Sequence, residues 1–390
     1  MLALFILFVI FITIAGIYYL LIILIMIGLN KTRPFSIQGE AFTTKVTVII
    51  PAKNEEDKIL HLLNDLVLQT FPKELMEVIL IDDRSNDQTV KIANKFAAEN
   101  PSFPILILSV QSDSQSSGSK KTAIKTAVSR SSGELILATD ADTRVGKKWI
   151  AAMVAYYEKF RPEMILGPVA YTDGPSLFSR IQSCEFMGLM AVTEGSCAMD
   201  RPLICNGANL AYSRKAFESV GGFDDNRNIP SGDDMFLMMK IRRKFGRKSV
   251  RFNRSKEAIV LTEPNKTMHE FIHQRLRWVS KNKGYTDPFV LFAAGFTYLF
   301  NAVLFLGLGL GFFFPSFWFL TFLLLAGKII LEFPVLRKYA VFLGKTKNLK
   351  LIPLVQVLNI FYVSIIGFLG NFISYEWKGR TVNPIKKPSG

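Results

Sequence analysis

The chain has 390 residues, enough for one or two domains, and a formal net charge of +15. That charge suits an anionic substrate and a surface near anionic lipid, while the dispersal of the basic residues away from stacking aromatics argues against a nucleic-acid partner. Cys184, Cys197 and Cys205 lack metal-ligand spacing and read as reduced cytosolic thiols.

Residues 1–30 are almost uncharged and long enough to cross a bilayer, so they read as a transmembrane helix. No basic stretch precedes them, and Lys31 and Arg33 follow, which is the wrong shape for a cleaved signal peptide. The positive-inside rule then places the next domain in the cytoplasm, on the cell (inner) membrane. Residues 43–285 have ordinary soluble periodicities and form a domain large enough to bury a full core. Val46–Pro51 is a buried strand. Asn54, Glu55, Glu56 and Asp57 precede a helix with Ile59, Leu62, Leu63 and Leu66 on one face. Val78–Ile81 is a second strand, and Ser85, Asn86 and Asp87 offer caps for a helix carrying Val90, Ala93 and Phe96. Ile105–Leu108 and Leu135–Ala138 continue as strands, Lys121–Val128 and Trp149–Phe160 as helices, and the Ser-rich run Gln111–Ser119 as a mobile loop. This alternation predicts an α/β fold with a mostly parallel sheet flanked by helices. Ligands of such sheets sit at the carboxyl ends of strands, where Asp82-Asp83 and Asp140/Asp142 fall.

Residues 286–374 read as a C-terminal membrane region with two to three transmembrane or re-entrant segments, and 375–390 as a polar basic tail. Asp287–Phe333 holds two crossings split near Pro315-Ser316, and Leu351–Ile373 is a third segment. Arg337, Lys338, Lys345, Lys347 and Lys350 precede that third segment, and Lys378, Arg380, Lys386 and Lys387 follow it. A single crossing would put one basic flank outside, so the segment either breaks the charge rule or is re-entrant or interfacial.

Several polar clusters suggest chemistry. Asp140 and Asp142, one residue apart in an extended chain, point the same way and suit a hard divalent cation, Mg2+ or Mn2+; a solvated acidic turn is the plainer reading. Asp82 and Asp83 are acceptors for a nucleobase or ribose, or simply a turn. Lys120 and Lys121 can meet phosphate or be a solvated basic pair. Asp233 and Asp234 open a helix, either as caps or with one acting as a general base. Gln274, Arg277 and Trp278 lie on a helix from Thr267 to Asn282; an arginine fork suits diphosphate and an indole face suits a sugar ring, although Trp and Arg are also frequent on interfacial helices. Ser176–Met190 reads as another interfacial helix. His269-Glu270-Phe271-Ile272-His273 matches the zinc-protease pattern H-E-x-x-H, with Glu332 available as a third ligand, so a membrane zinc metalloprotease is the reading from another class.

Taken in order, Pro51-Ala52-Lys53-Asn54-Glu55-Glu56, Asp82-Asp83-x-Ser85-x-Asp87-x-Thr89, Asp140-Ala141-Asp142, Gly232-Asp233-Asp234 and Gln274-x-x-Arg277-Trp278 resemble family 2 glycosyltransferases of GT-A fold over about residues 45–282. The resemblance is nearest to the membrane-embedded branch of cellulose, chitin and hyaluronan synthases and ceramide glucosyltransferase. It implies inverting transfer from a UDP-sugar to a lipid or glycan acceptor, or processive polysaccharide synthesis by the same site. It also implies that Ala52, Glu55, Asp82, Asp83 and Asp140 contact the donor and that Asp142 serves the metal; the residues' own reading adds Lys121 as a donor contact and Asp140 beside Asp142 as a metal ligand. By the same resemblance Asp234, paired with Asp233, matches the base, and Gln274, Arg277 and Trp278 hold diphosphate and border the acceptor. The family's base pair is usually Glu-Asp, whereas this chain has Asp-Asp. Cys205 to Asn209 lies where cellulose synthases carry an acceptor-facing loop, without the aromatic pair that precedes the cysteine there.

Overall fold

The computed structural model describes residues 2–39, 41–110, 119–226, 231–377 and 380–382. The Ser-rich run at 111–118 and most of the basic tail lie outside the described residues. In chain order the elements begin with α1 (Leu2–Lys31), β1 (Val46–Ala52), α2 (Ile59–Val67), β2 (Met76–Asp82), α3 (Thr89–Glu99), β3 (Ile105–Ser109) and α4 (Ser119–Arg130). There follow β4 (Leu135–Ala138), β5 (Arg144–Val145), α5 (Trp149–Phe160), β6 (Met164–Leu166), β7 (Val169–Tyr171), α6 (Leu177–Ala198), β8 (Leu210–Ser213), α7 (Arg214–Ser219) and α8 (Asp233–Phe245). The chain continues with β9 (Val250–Phe252), β10 (Val260–Thr262), α9 (Met268–Ser280), α10 (Pro288–Leu310), α11 (Ser316–Leu343), α12 (Ile352–Leu369), β11 (Tyr375–Trp377) and β12 (Arg380–Val382).

Two compact units result. The first comprises Arg33–Thr172 and Ile204–Glu263. Its seven-stranded sheet runs β3-β2-β1-β4-β8-β6-β9. Strands β3, β2, β1 and β4 are parallel, and β8 enters antiparallel between β4 and β6. Apolar, β-branched strands such as Val46–Ala52 are covered on both faces, as a parallel sheet requires. Val48, Ile50, Leu80 and Leu137 join Leu62 of α2 and Trp149 of α5 in one core. Parallel β1, β2 and β4 therefore deliver their carboxyl ends to the same edge.

The second unit comprises Met1–Thr32, Asp173–Leu203 and Pro264–Gly390. Helices α6 and α9, expected from the sequence inside the 43–285 stretch, group here with the apolar helices. Among the described residues four helical segments are long and apolar enough to cross a membrane: α1, α10, α11 and the segment ending in α12. Phe11, Tyr18, Phe300 and Phe317 fill their common core, with the Tyr18 and Phe300 rings stacked at 4.3 Å. Buried Lys328 pairs with Glu332 at 2.8 Å, and Glu332 also accepts from Gln356 at 2.5 Å and from the Tyr18 hydroxyl. Partners for every member make this charge tolerable in apolar surroundings. Lys338 Nζ donates to Leu29 O and Asn30 Oδ1, which brings the ends of α11 and α1 together.

The path of α12 bears on the two basic flanks. Ahead of it, Asn348 O accepts from Cys184 Sγ of α6 at 3.0 Å. At its middle, the Tyr362 hydroxyl donates to Glu185 of α6. Beyond it, the backbone N–H of Glu376 donates to His273 Nδ1 of α9 at 2.8 Å. Both flanks and the middle of α12 thus reach α6 or α9.

Gly28 of α1 meets Gly195 of α6 backbone to backbone: a Cβ on Gly28 would stand 2.0 Å from Gly195 O. Small residues permit such close helix crossings in membranes. Gly28→Ala is expected to destabilise the protein by about 1–3 kcal/mol through overpacking, read as a lower thermal midpoint in detergent. An unchanged midpoint would show that the crossing yields freely.

Candidate active site

Lys120 of α4 lies at the centre of the acidic residues. Its Nζ donates to Asp140 Oδ1 at 2.8 Å and lies 3.9 Å from Asp233 Oδ2. Burial pulls the Lys120 ammonium down, but Asp140, Asp233 and then Asp234 together hold it well above its ordinary value. A Cβ on Gly207 would lie 3.8 Å from Lys120 Nζ and 3.9 Å from Asp233 Oδ2 and Asp234 Cβ. Lys120, Gly207, Asp233 and Asp234, with Pro51, Ala138 and Leu210, line a small recess that opens to solvent.

Asp233 and Asp234 are the first residues of α8, which Gly232 opens at φ 85°. Asp234 Oδ2 accepts the Gly207 N–H at 3.1 Å, and Oδ1 accepts the Met235 N–H at 2.8 Å. The phenol of buried Tyr212 is held well above its usual range by burial and then by the Asp233 charge. Of the Cys205–Asn209 segment, Gly207 reaches the recess, while the Cys205 N–H is directed to Met235 Sδ.

Asp140 and Asp142 depart from their sequence rationale. The chain turns after β4, and Thr143 N–H and Oγ1 donate to Asp140 O, so the period of an extended strand does not apply. Asp140 meets Lys120. Asp142 helps to raise the Lys58 ammonium, which burial opposes and Glu263, at 3.2 Å, further supports. The donor set is two carboxylates without histidine or cysteine. Among the described residues no three His, Cys, Asp or Glu side chains gather to hold a metal alone. That set fits Mg2+ or Mn2+, which keep waters and take further oxygens from a substrate's phosphates.

The loops after β1 and β2 are fastened together. Asp83 N–H donates to Ala52 O at 2.8 Å, Glu55 N–H to Thr89 Oγ1 at 2.8 Å, and Asn54 N–H to Ser85 Oγ at 2.9 Å. Asp82 accepts from Ser85 N, and Asp83, almost fully buried, lies 3.5 Å from Arg84. Ser85 and Asn86, expected as helix caps, instead tie these loops; Asp87 does accept from Thr89 at the start of α3. Lys121, named from sequence as the donor contact, is buried with its ammonium 4.6 Å from the Phe236 ring centre. Lys120 is the lysine that lines the recess. Ala123, Ile124, Ala127 and Val128 form a buried face of α4 that both lysines border, so periodicity alone does not separate them.

Gln274, Arg277 and Trp278 belong to the second unit, partly buried on α9. The zinc-protease reading lacks its third ligand, since among the described residues no three His, Cys, Asp or Glu side chains gather around His269 and His273. Glu270 closes a capping box with Thr267, His273 Nδ1 accepts from Glu376, and Glu332 is engaged by Lys328, Gln356 and Tyr18.

The family model for glycosyl transferase family 2 matches residues 47–221, and that for glycosyl transferase family group 2 matches residues 135–364. Glycosyltransferase AglE of Haloferax volcanii is 28% identical over 190 residues, 48% of this chain and 58% of that protein. Beta-monoglucosyldiacylglycerol synthase of Synechocystis sp. is 24% identical over 259 residues, 64% of this chain and 50% of that protein. The poly(ribitol-phosphate) beta-N-acetylglucosaminyltransferase TarS of Staphylococcus aureus is 32% identical over 122 residues, 31% of this chain and 20% of that one. The chain therefore spans 20% to 58% of the length of these curated relatives. A solved mannosyltransferase, PcManGT from Pyrobaculum calidifontis in complex with GDP-Man and Mn2+, shares the fold with a TM-score of 0.58 at 18% identity, covering 91% of this chain and 99% of its own. With the second family model alone covering more than half of its length, the chain belongs to the family 2 glycosyltransferases.

Proposed function

We propose that the chain is an inverting membrane hexosyltransferase that moves a sugar from a UDP-sugar to a lipid or glycan acceptor at the cytoplasmic membrane face. The meeting of Lys120 with Asp140, Asp233, Asp234 and Gly207 at the carboxyl ends of parallel strands carries the reading. The joined loops that hold Ala52, Glu55, Asp82 and Asp83 offer acceptors for uridine and ribose. Asp142 and Asp140 would hold the divalent ion, which when bound offsets charge on the leaving diphosphate. Lys120 supplies a cation to the same phosphates, the role expected of Lys121. Asp234, with Asp233 beside it, removes the acceptor's proton as the hydroxyl attacks the anomeric carbon. Gln274 and Arg277 bind diphosphate oxygens, and Trp278 borders the acceptor.

A lipid acceptor is favoured over an extruded polymer. Phe11, Tyr18, Phe300 and Phe317 fill the interior of the apolar helices with side chains, which supports a product that stays in the membrane leaflet. The charges Lys31 and Arg33 favour a cytoplasmic site. Purified protein offered labelled UDP- and GDP-sugars with membrane lipids should release UDP and yield lipid-sized product. Release of GDP alone, or long polymer, would overturn the corresponding part. Trp278→Ala is expected to raise acceptor KM by about tenfold, the scale of a lost aromatic platform, with donor KM unchanged; equal acceptor kinetics would remove Trp278 from this role.

A further inference from the structure

Arg275, the arginine between Gln274 and Arg277, has a job of its own. Its side chain is only 4% exposed. The guanidinium carbon lies 4.4 Å from the Phe271 ring centre and 4.2 Å from that of Trp278. Nε donates to Glu185 Oε1 of α6 at 3.1 Å, Nη2 donates to Glu185 Oε2, and Nη1 donates to Gln274 Oε1 at 2.6 Å. The Tyr362 hydroxyl of α12 donates to Glu185 Oε1. Gln274 Oε1 also accepts from Asn265 Nδ2 at 2.9 Å.

Two consequences follow from this bonding. A carbonyl oxygen has two lone pairs, and both of those on Gln274 are taken, so the amide NH2 is the end left to meet a ligand oxygen. The Arg275 charge is matched by Glu185 and stacked on the Trp278 indole, so it fixes the plane of that ring. We propose that Glu185 and Tyr362 are positioning residues: through Arg275 they aim the Gln274 amide and hold the Trp278 face. This rests on the transferase reading above, because it assigns α9 to diphosphate and acceptor. It adds that α6 and a membrane-region helix set the geometry of that segment.

The test uses full-length protein in lipid nanodiscs, with kcat and KM measured separately for UDP-sugar and for lipid acceptor. Tyr362→Phe removes one hydrogen bond and leaves the ion pair. Glu185→Gln alone leaves a buried charge and risks misfolding. The double variant Glu185→Met with Arg275→Met removes both charges and is expected to fold, because apolar replacement of a buried pair is often neutral. We expect acceptor KM to rise about threefold in Tyr362→Phe and about tenfold or more in the double variant, with the thermal midpoint of the double variant kept. A purely structural pair predicts wild-type acceptor KM once the double variant folds, and that result would overturn the inference alone. A wild-type protein that transfers no sugar from any donor would overturn both readings.

Discussion

Asp234→Asn is expected to lower sugar transfer by about 10²–10⁴-fold, the usual worth of a general base, with UDP-sugar affinity nearly unchanged. Asparagine keeps the shape of the side chain. Its Oδ1 can still accept from the Met235 or Gly207 N–H, the two bonds that fix Asp234 at the start of α8. What it lacks is an oxygen able to take a proton from the attacking hydroxyl. Binding by calorimetry and turnover by UDP release separate the two effects. Asp233→Asn is the contrast: Asp233 faces Lys120 at 3.9 Å and bears on Tyr212, so its loss is expected to fall more on donor KM. Turnover of Asp234→Asn within tenfold of wild type would remove Asp234 from the base role.

The second large effect is expected at Lys120. Lys120→Met removes the cation held between Asp140 and Asp233. A charge-assisted hydrogen bond contributes about 1.5–3 kcal/mol, so donor KM should rise about 10–100-fold. The same change frees Asp140 from its lysine, so the half-saturating concentration of Mg2+ or Mn2+ should fall. Opposite movement of these two constants is the signature, because misfolding would worsen both. Lys121→Met tests the sequence-based choice. Its ammonium lies over Phe236, so the expected loss is in thermal stability, with donor KM held. If Lys121→Met shifts donor KM and Lys120→Met does not, the assignment reverses.

The parallel half of the sheet was legible because β-branched runs covered on both faces have few alternatives to a buried strand. The acids were legible as strand-end residues, since Asp82 closes β2 and Asp140 follows β4. Which lysine enters the recess was not, because the choice between Lys120 and Lys121 depends on the phase of α4. The Asp140–Asp142 spacing suggested one shared side, but a turn bonded by Thr143 separated their surroundings. Arg275 was overlooked as a spacer in the motif, although Phe271 and Trp278 at i−4 and i+3 mark a guanidinium held between two rings. Hydropathy reports only how apolar the segment at 351–373 is, and says nothing of where its two ends go. The antiparallel insertion of β8 between β4 and β6 depends on distant pairing that local pattern does not encode.

The course of α12 has a consequence for how the polypeptide threads the bilayer. If contacts with α6 and α9 keep both of its ends on one side, the crossings number three and the two chain ends emerge on opposite faces. A protease added to sealed, right-side-out cells should then remove an epitope fused ahead of Met1 and spare one fused after Gly390. Digestion of both fusions would mean that α12 traverses.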